Sequence, residues 1–186
     1  YSVTVRSVDQ FWNKAIDGRS VRLQANDVYA TIPAPQVLGG GETTFAGFVP
    51  SASTGNLTLS AIDNSGGPFL ASQIASTITV LTGPADRMVV VMPGQTLVPG
   101  KTVAPFGLGG TISTPTATQA FGVSVYATDS RYNWVQGVVR PSIVLTSNDP
   151  FASNPFQPAT NNFAMSNGSF TVFGLVLRTA LPTVRV

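Results

Sequence analysis

The amino-acid sequence predicts an all-β protein made of two tandem β-sandwiches. Val, Thr, Ser, Phe, Gly and Pro are abundant, with 18 Gly and 14 Pro, whereas the helix formers Lys, Glu and Leu are comparatively scarce. Apolar and polar residues alternate in several short segments, and this is the period of a half-buried strand. A hydrophobic content of 43% is sufficient for packed cores, so a disordered chain is not expected.

Two segments near the start and the middle of the chain share one pattern. YSVTVRSVD at 1–9 alternates in the same way as FGVSVYATD at 121–129. At a spacing of 120 positions the apolar residues coincide, and a turn of the form Asp-x-x-x-Asn recurs. The matched positions are Tyr1 with Phe121, Val3 with Val123, Val5 with Val125, Asp9 with Asp129 and Asn13 with Asn133.

Later segments match at slightly larger spacings. VRLQAND at 21–27 matches IVLTSND at 143–149 with a spacing of 122, and the last third matches with a spacing of 127. Insertions in the surface connections of a duplicated domain produce such changes. The sequence therefore predicts one β-sandwich over residues 1–80 and a second over 84–186. The last block aligns Gly41 with Gly168, Gly47 with Gly174, Val49 with Val176, Leu57 with Val184 and Leu59 with Val186.

Strands are expected at corresponding places in the two copies. The first copy should have them near 1–8, 20–25, 43–49 and 55–62, with another at 77–81. The second should have them near 121–128, 141–147, 168–177 and 182–186, with a short edge segment at 111–118. Alternation then predicts the core residues. These are Val3, Val5, Leu23, Val49 and Leu59 in the first copy, and Val123, Val125, Leu145, Val176 and Val186 in the second.

The segment between the copies contains a strand that the first copy lacks. Residues 87–92 form an apolar run ahead of two Pro-Gly pairs, at 93–94 and 99–100, which each predict a turn. No such strand precedes YSVTVRSVD, so the sheet of the first copy should have an unpaired edge beside residues 1–8. We expect residues upstream of Tyr1, or a strand from a neighbouring molecule, to complete it.

Several segments of the second copy follow a familiar pattern. They are MVVVMPGQTLVPG, FGVSVYATDSRYNWV, IVLTSNDPFASNP and NGSFTVFGLVLRT, and together they span most of residues 84–186. They resemble the tandem bacterial immunoglobulin-like repeats, of the Big, invasin and filamin types, of large secreted or cell-surface proteins. Residues 1–80 match less well, since Val28 follows Asp27 where the family has Pro. The resemblance implies two tandem immunoglobulin-like β-sandwiches in stalks, spacers, adhesin modules or appendages of secreted hydrolases.

Composition excludes several kinds of function. Only 10% of the residues are charged and the ten Lys and Arg are dispersed, whereas nucleic-acid binding needs basic residues on one surface. Without Cys or His there is no disulfide, thiolate metal site or imidazole base. The apolar runs are far shorter than the roughly 20 residues of a membrane helix. We expect no enzyme activity, no cofactor, no nucleic acid and no membrane insertion.

Aromatic residues beside the two Asp-x-x-x-Asn turns are candidate ligand contacts. Phe11 and Trp12 lie in the first turn, and Tyr132 and Trp134 lie in or beside the second. Aromatic faces commonly stack on sugars, so one interpretation is a glycan-binding platform. Such residues also pack in the core of immunoglobulin-like sandwiches or between domains, and the sequence favours that interpretation.

The Asp and Asn residues of these loops have two interpretations. Asp9 with Asn13, and Asp129 with Asn133, offer oxygens that suit calcium, with Asp27 and Asp149 as further candidates. Because the carboxylates are isolated, hydrogen bonds to nearby backbone in turns are the favoured interpretation, and no metal is predicted.

Asn56 and Asn167 head N-glycosylation sequons, and Lys14 and Lys101 are the lysines available for a Lys–Asn crosslink.

The sequence thus predicts a structural role outside the cell or at its surface. The expected partners are other copies of the chain or neighbouring immunoglobulin-like modules, joined end to end by β contacts in a stalk, surface layer or filament. The alternatives are an adhesin or carbohydrate-binding module, with glycans as partners, and an accessory region of a secreted hydrolase.

Overall fold

The computed structural model describes residues 1–53, 55–67, 70–75, 77–139, 143–152 and 163–179. These residues form an all-β structure of antiparallel sheets, which is consistent with a β-sandwich and contains no helix. Across these ranges, therefore, no helix has the length and apolar character needed to cross a membrane. The chain divides into two compact units, Tyr1–Leu81 and Thr82–Val186.

The first unit has seven strands among its described residues. They form three antiparallel sheets with strand orders β1-β4, β3-β2-β6 and β5-β7. β3 is not predicted by alternation because it has two residues only. The strands are β1 (Val3–Arg6), β2 (Ser20–Ala25), β3 (Gln36–Val37), β4 (Glu42–Phe45), β5 (Gly55–Leu57), β6 (Leu59–Asp63) and β7 (Ile78–Val80).

Two apolar clusters form the core of the first unit. One contains Val21, Leu23, Leu38 and Phe45, with Val3 and Val5 packed against it. The other is built on Phe48, Leu57 and Leu59. Alternating residues of β2 face this core, and this is why Val21 and Leu23 are buried while Arg22 is exposed.

The second unit has five strands in the part of it that the structure describes. They form a sheet of order β12-β11-β8 and a hairpin β10-β9. One cluster forms the core and includes Val123, Val125, Leu145 and Leu175. The strands are β8 (Arg87–Val91), β9 (Gln95–Leu97), β10 (Leu108–Gly110), β11 (Ala120–Thr128) and β12 (Ser169–Val176).

The strand pairs β1–β4 and β11–β12 have matching registers. Val3 lies opposite Phe45 and Arg6 opposite Glu42 in the first pair. In the second pair Val123 lies opposite Val172 and Tyr126 opposite Ser169. Adding 120 to the numbers of the β1 residues and 127 to those of the β4 residues therefore gives the paired residues of β11 and β12. Hydroxyl pairs also coincide, since Thr4 contacts Thr44 and Ser124 contacts Thr171.

The predicted cores need correction at four residues. Leu23, Leu59, Val123, Val125 and Leu145 are buried as predicted, but Val49 and Val176 are half-buried. Gly47 and Gly174, both with φ near 80°, shift the phase of alternation, so Phe48 and Leu175 occupy the core positions instead. Val3 and Val5 are also half-buried, because β1 has a paired strand on one side only among the described residues.

The predicted strands also need correction at several places. Residues 143–147 contain only an isolated bridge, from Ile143 to Phe163, and 111–118 form no strand. The β9–β10 hairpin was not predicted, because its Gly and Pro residues favour turns. Residues 182–186, which include Val184 and Val186, lie outside the described residues.

Candidate functional site

An open groove runs along β1 in the first unit. It has a volume of about 690 Å³ and is bounded by β1 on one side and by β6 and residues 70–75 on the other. Apolar side chains from both sides line it, and Leu23 and Leu59 of the core form part of its surface. The exposed side chains of Leu70 and Ile74 contribute to its rim. The groove thus gives access to the core of the first unit from the open edge of β1.

The corresponding edge in the second unit is covered by a strand. β11 pairs with β12 on one side and with β8 on the other, whereas β1 pairs only with β4 among the described residues. Val125 lies opposite Val90, and Tyr126 lies opposite Val89. Val123 and Val125 are accordingly about 1% exposed, while their counterparts Val3 and Val5 are half-buried. At this edge, the second unit has one strand more than the described part of the first unit.

The open edge of β1 presents main-chain hydrogen-bonding groups. The N–H of Ser7 donates to the carbonyl oxygen of Gly41, so Ser7 is a hydrogen-bonded position of the β1–β4 pair. Such positions alternate along an antiparallel pair. Thr4 and Arg6 are therefore the alternate positions, and their N–H and C=O groups point away from β4, towards the groove. This arrangement is a template for a further strand.

Side-chain contacts hold the far end of β1 in place. The Ser7 hydroxyl donates to the carbonyl of Ala15 at 2.7 Å. The Arg6 guanidinium pairs with the Glu42 carboxylate, and Lys14 lies 3.8 Å from that carboxylate. The hydrogen bond from Arg6 holds the pKa of Glu42 below its usual value. The open edge is thus a fixed element rather than a loose end.

Two exposed aromatic side chains lie at the end of β1. Phe11 and Trp12 are 73% and 70% exposed, and Trp12 also lines the groove. Asp9 shapes their turn, since its carboxylate accepts hydrogen bonds from the N–H groups of Phe11 and Asn13 at 2.9 Å each. Trp12 has a φ of 66°, in the left-handed region. Packing of these two residues in the core, one of the two kinds of packing expected, is therefore wrong.

The aromatic residues of the second unit are packed instead. Tyr132, whose φ of 66° equals that of Trp12, stacks on Phe106 with ring centroids 5.9 Å apart. Its hydroxyl accepts a hydrogen bond from Arg87 of β8 at 2.6 Å. Trp134 packs edge-on against Tyr126 and donates to the carbonyl of Gly168 at 3.2 Å. Of the four candidate aromatics, only Phe11 and Trp12 have largely exposed side chains.

The carboxylates of the candidate calcium loops serve the turns. Asp129 accepts hydrogen bonds from the N–H groups of Gly83, Arg131 and Asn133. Burial raises the pKa of Asp129, but these bonds and those from the Asn133 amide outweigh it and leave the pKa below its usual value. Hydrogen bonds from Asn13 and Phe11 likewise lower the pKa of Asp9. Both loops thus contain the side-chain to main-chain hydrogen bonds that the turn interpretation predicts.

Asp27 and Asp149 fix the ends of strands in the same manner. Asp27 accepts from the N–H groups of Ser51 and Ala52, and Asp149 accepts from those of Arg178 and Thr179. These bonds, led by the one from Thr179, place the pKa of Asp149 far below its usual range. Within the described residues no three His, Cys, Asp or Glu side chains cluster in a way that could hold a metal.

Comparison with protein-family models, curated proteins and solved structures finds no match to this chain. The groove and the matching registers of the two units are therefore the features that bear on function. Sequence reasoning predicted the open edge but did not find the opposite side of the groove. The signal for it was weak, because residues 70–75 contain few alternating positions and contact β6 through an isolated bridge from Ile74 to Ser60 and a few hydrogen bonds rather than through a regular strand.

Proposed function

We propose that the chain is a structural immunoglobulin-like repeat region of an extracellular or cell-surface protein. In this proposal the two units are copies of one immunoglobulin-like β-sandwich module. They serve as building blocks of a stalk, surface layer or filament through end-to-end β contacts with other copies or neighbouring modules. The observation that carries the proposal is the matching register of β1–β4 and β11–β12, combined with the open edge of β1.

The chemistry of the polar residues supports a structural role. Asp9, Asp27, Asp129 and Asp149 each accept main-chain N–H groups, so their carboxylates are used to hold turns and strand ends. The low charge content and the many Thr and Ser residues give a surface with a weak electrostatic field. Such a surface suits a structural module. An exposed sheet edge is a common means by which β proteins associate.

Self-association of the purified chain tests this role. Light scattering coupled to size-exclusion chromatography, over a range of concentrations, should show species that grow with concentration. Electron microscopy of the largest species should show modules joined end to end. The proposal would be contradicted if the chain stays monomeric at the highest soluble concentration. It would also have to show no binding to a longer protein that carries further modules of the same kind.

A second candidate function is glycan binding. The specific observation in its favour is the exposure of Phe11 and Trp12 side by side at the end of β1. A glycan array probed with the chain tests it, with Trp12→Ala as the variant and Trp134→Ala as the matched control. Binding that is lost in Trp12→Ala and kept in Trp134→Ala would favour an adhesin. Absence of any glycan signal would exclude the glycans on that array as ligands.

A further inference from the structure

We propose that the groove beside β1 binds an extended strand of another polypeptide, which runs antiparallel to β1 and completes the first unit. This inference rests on the proposed structural role and names the surface through which a neighbouring module would join the first unit. The strand is apolar on both faces, as β8 is from Met88 to Val91. It occupies in the first unit the place that β8 occupies in the second.

The pairing of β8 with β11 in the second unit predicts how the incoming strand aligns with β1. β8 pairs with β11 so that Arg87 lies opposite Thr128, Val89 opposite Tyr126 and Val91 opposite Ser124. A spacing of 120 positions converts these β11 residues into Val8, Arg6 and Thr4 of the first unit. The incoming strand is therefore placed residue by residue along β1, with five residues paired.

The faces of the two sheets define the side chains of the incoming strand. Val123 and Val125 face the core of the second unit, and Val90 and Met88 lie opposite Val125 and Ala127. Met92 packs against the same core. The counterparts of Met88, Val90 and Met92 therefore lie on the face of the incoming strand that is turned to the groove, which Val5 and Leu23 line. In the second unit Met92 packs against the core, Met88 and Val90 are 64% and 36% exposed, and Val89 on the other face is buried. The incoming strand is therefore expected to be apolar on both faces, as β8 is.

The strand comes from outside the two units rather than from β8 of a second copy. β8 already pairs with β11 along five residues of its own unit. Transfer of β8 to the groove of a neighbour would open the edge of β11 while closing that of β1. Such an exchange leaves the number of unpaired strand edges unchanged. A separate segment instead pairs with β1 without unpairing β11, so it adds main-chain hydrogen bonds and buries apolar surface.

A labelled peptide with the sequence of residues 87–93, RMVVVMP, is the probe. Fluorescence anisotropy with the whole chain should show saturable binding at one site, and amide signals of Thr4 and Arg6 should shift in NMR spectra. N-methylation at the positions of Val89 and Val91 should weaken binding about tenfold per blocked hydrogen bond, because these N–H groups face β1. N-methylation at Val90 should change it little, because that N–H faces away.

A matched pair of protein variants checks the location. Ile74 lines the groove and is 64% exposed, whereas Ile16 is 93% exposed and lies outside it, so neither substitution should unfold the chain. Ile74→Asp should reduce peptide affinity about tenfold, as a charge is placed against the apolar strand, and Ile16→Asp should not. Affinity that neither N-methylation nor Ile74→Asp alters would indicate adsorption to apolar surface and overturn the proposal.

The outcomes also separate this inference from the structural role. Self-association of the chain without saturable peptide binding would overturn the groove assignment and leave the structural role standing. Peptide binding with the predicted N-methylation pattern supports the groove even if the chain alone stays monomeric. Dimers in which β8 is exchanged between copies, detected by crosslinking of residues 87–91 to β1, would overturn the choice of a separate strand.

Discussion

Asp27 and Asp149 hold equivalent points of the chain in the two units. The N–H groups of Ser51 and Ala52 donate to one oxygen of Asp27, and those of Arg178 and Thr179 donate to one oxygen of Asp149. Each carboxylate also closes a short turn two residues further on, at Tyr29 and at Phe151. A buried carboxylate that accepts three main-chain bonds orders two distant segments at once.

Loss of the Asp27 carboxylate should destabilise the first unit. Asp27→Ala leaves the buried N–H of Ser51 and the N–H of Ala52 without this acceptor, which should lower the free energy of unfolding by about 2 kcal/mol. Urea denaturation followed by circular dichroism measures the change. Asp86→Ala, at an exposed aspartate, is the control and should differ little from the unsubstituted chain. An equal loss in both variants would contradict the assigned role.

Acid should destabilise the chain through Asp63 and Asp149. Hydrogen bonds from Ser65 and Arg19 lower the pKa of Asp63 to about 2, and those to Asp149 lower its pKa as well. The folded state therefore binds these protons less readily than the unfolded state. Their contribution to stability is present above about pH 4 and is lost as the pH falls towards about 2. Asp63→Asn should flatten the pH dependence of the thermal midpoint in that window. A midpoint equally steep in the variant would contradict this.

Gly41 should tolerate no side chain. Its φ is +83°, and a Cβ atom there would overlap the carbonyl oxygen of Ala15. Gly41→Ala should therefore cost about 3 kcal/mol or more. Gly40→Ala is the matched control, since Gly40 also has a positive φ but faces open space, and it should cost about 1 kcal/mol. Denaturation midpoints of the two variants check the difference, and equal costs would show that backbone conformation alone matters.

The exposed and the packed Trp should differ in their effect on stability. Trp134→Ala removes an edge-on contact with Tyr126 and a hydrogen bond to Gly168, so we expect a loss of about 2 kcal/mol. Trp12→Ala removes a side chain that is mostly exposed and should cost no more than about 0.5 kcal/mol. Calorimetry of both variants measures this. A larger loss from Trp12→Ala would mean that Trp12 packs in a way that the structure does not show.

The sequence by itself determined those features that depend on neighbours along the chain. Alternation located β1, β2 and β11, because the two faces of a strand differ in polarity wherever one face is buried. A continuous apolar run located β8. The Asp-x-x-x-Asn pattern predicted the turns at Asp9 and Asp129, because their hydrogen bonds connect residues two to four apart. The unpaired edge beside residues 1–8 was also predicted, and among the described residues β1 pairs with β4 only.

Only the tertiary structure decided the features that depend on distant residues. Gly47 and Gly174 shift the alternation of their strands, so the choice of Phe48 over Val49 for the core follows from pairing with another strand. Tyr132 is packed and Trp12 exposed although they share a backbone conformation, because Phe106 stacks on the Tyr132 ring and Arg87 donates to its hydroxyl. The groove beside β1 likewise exists because residues 70–75 lie across from β1, and no local pattern encodes that distance.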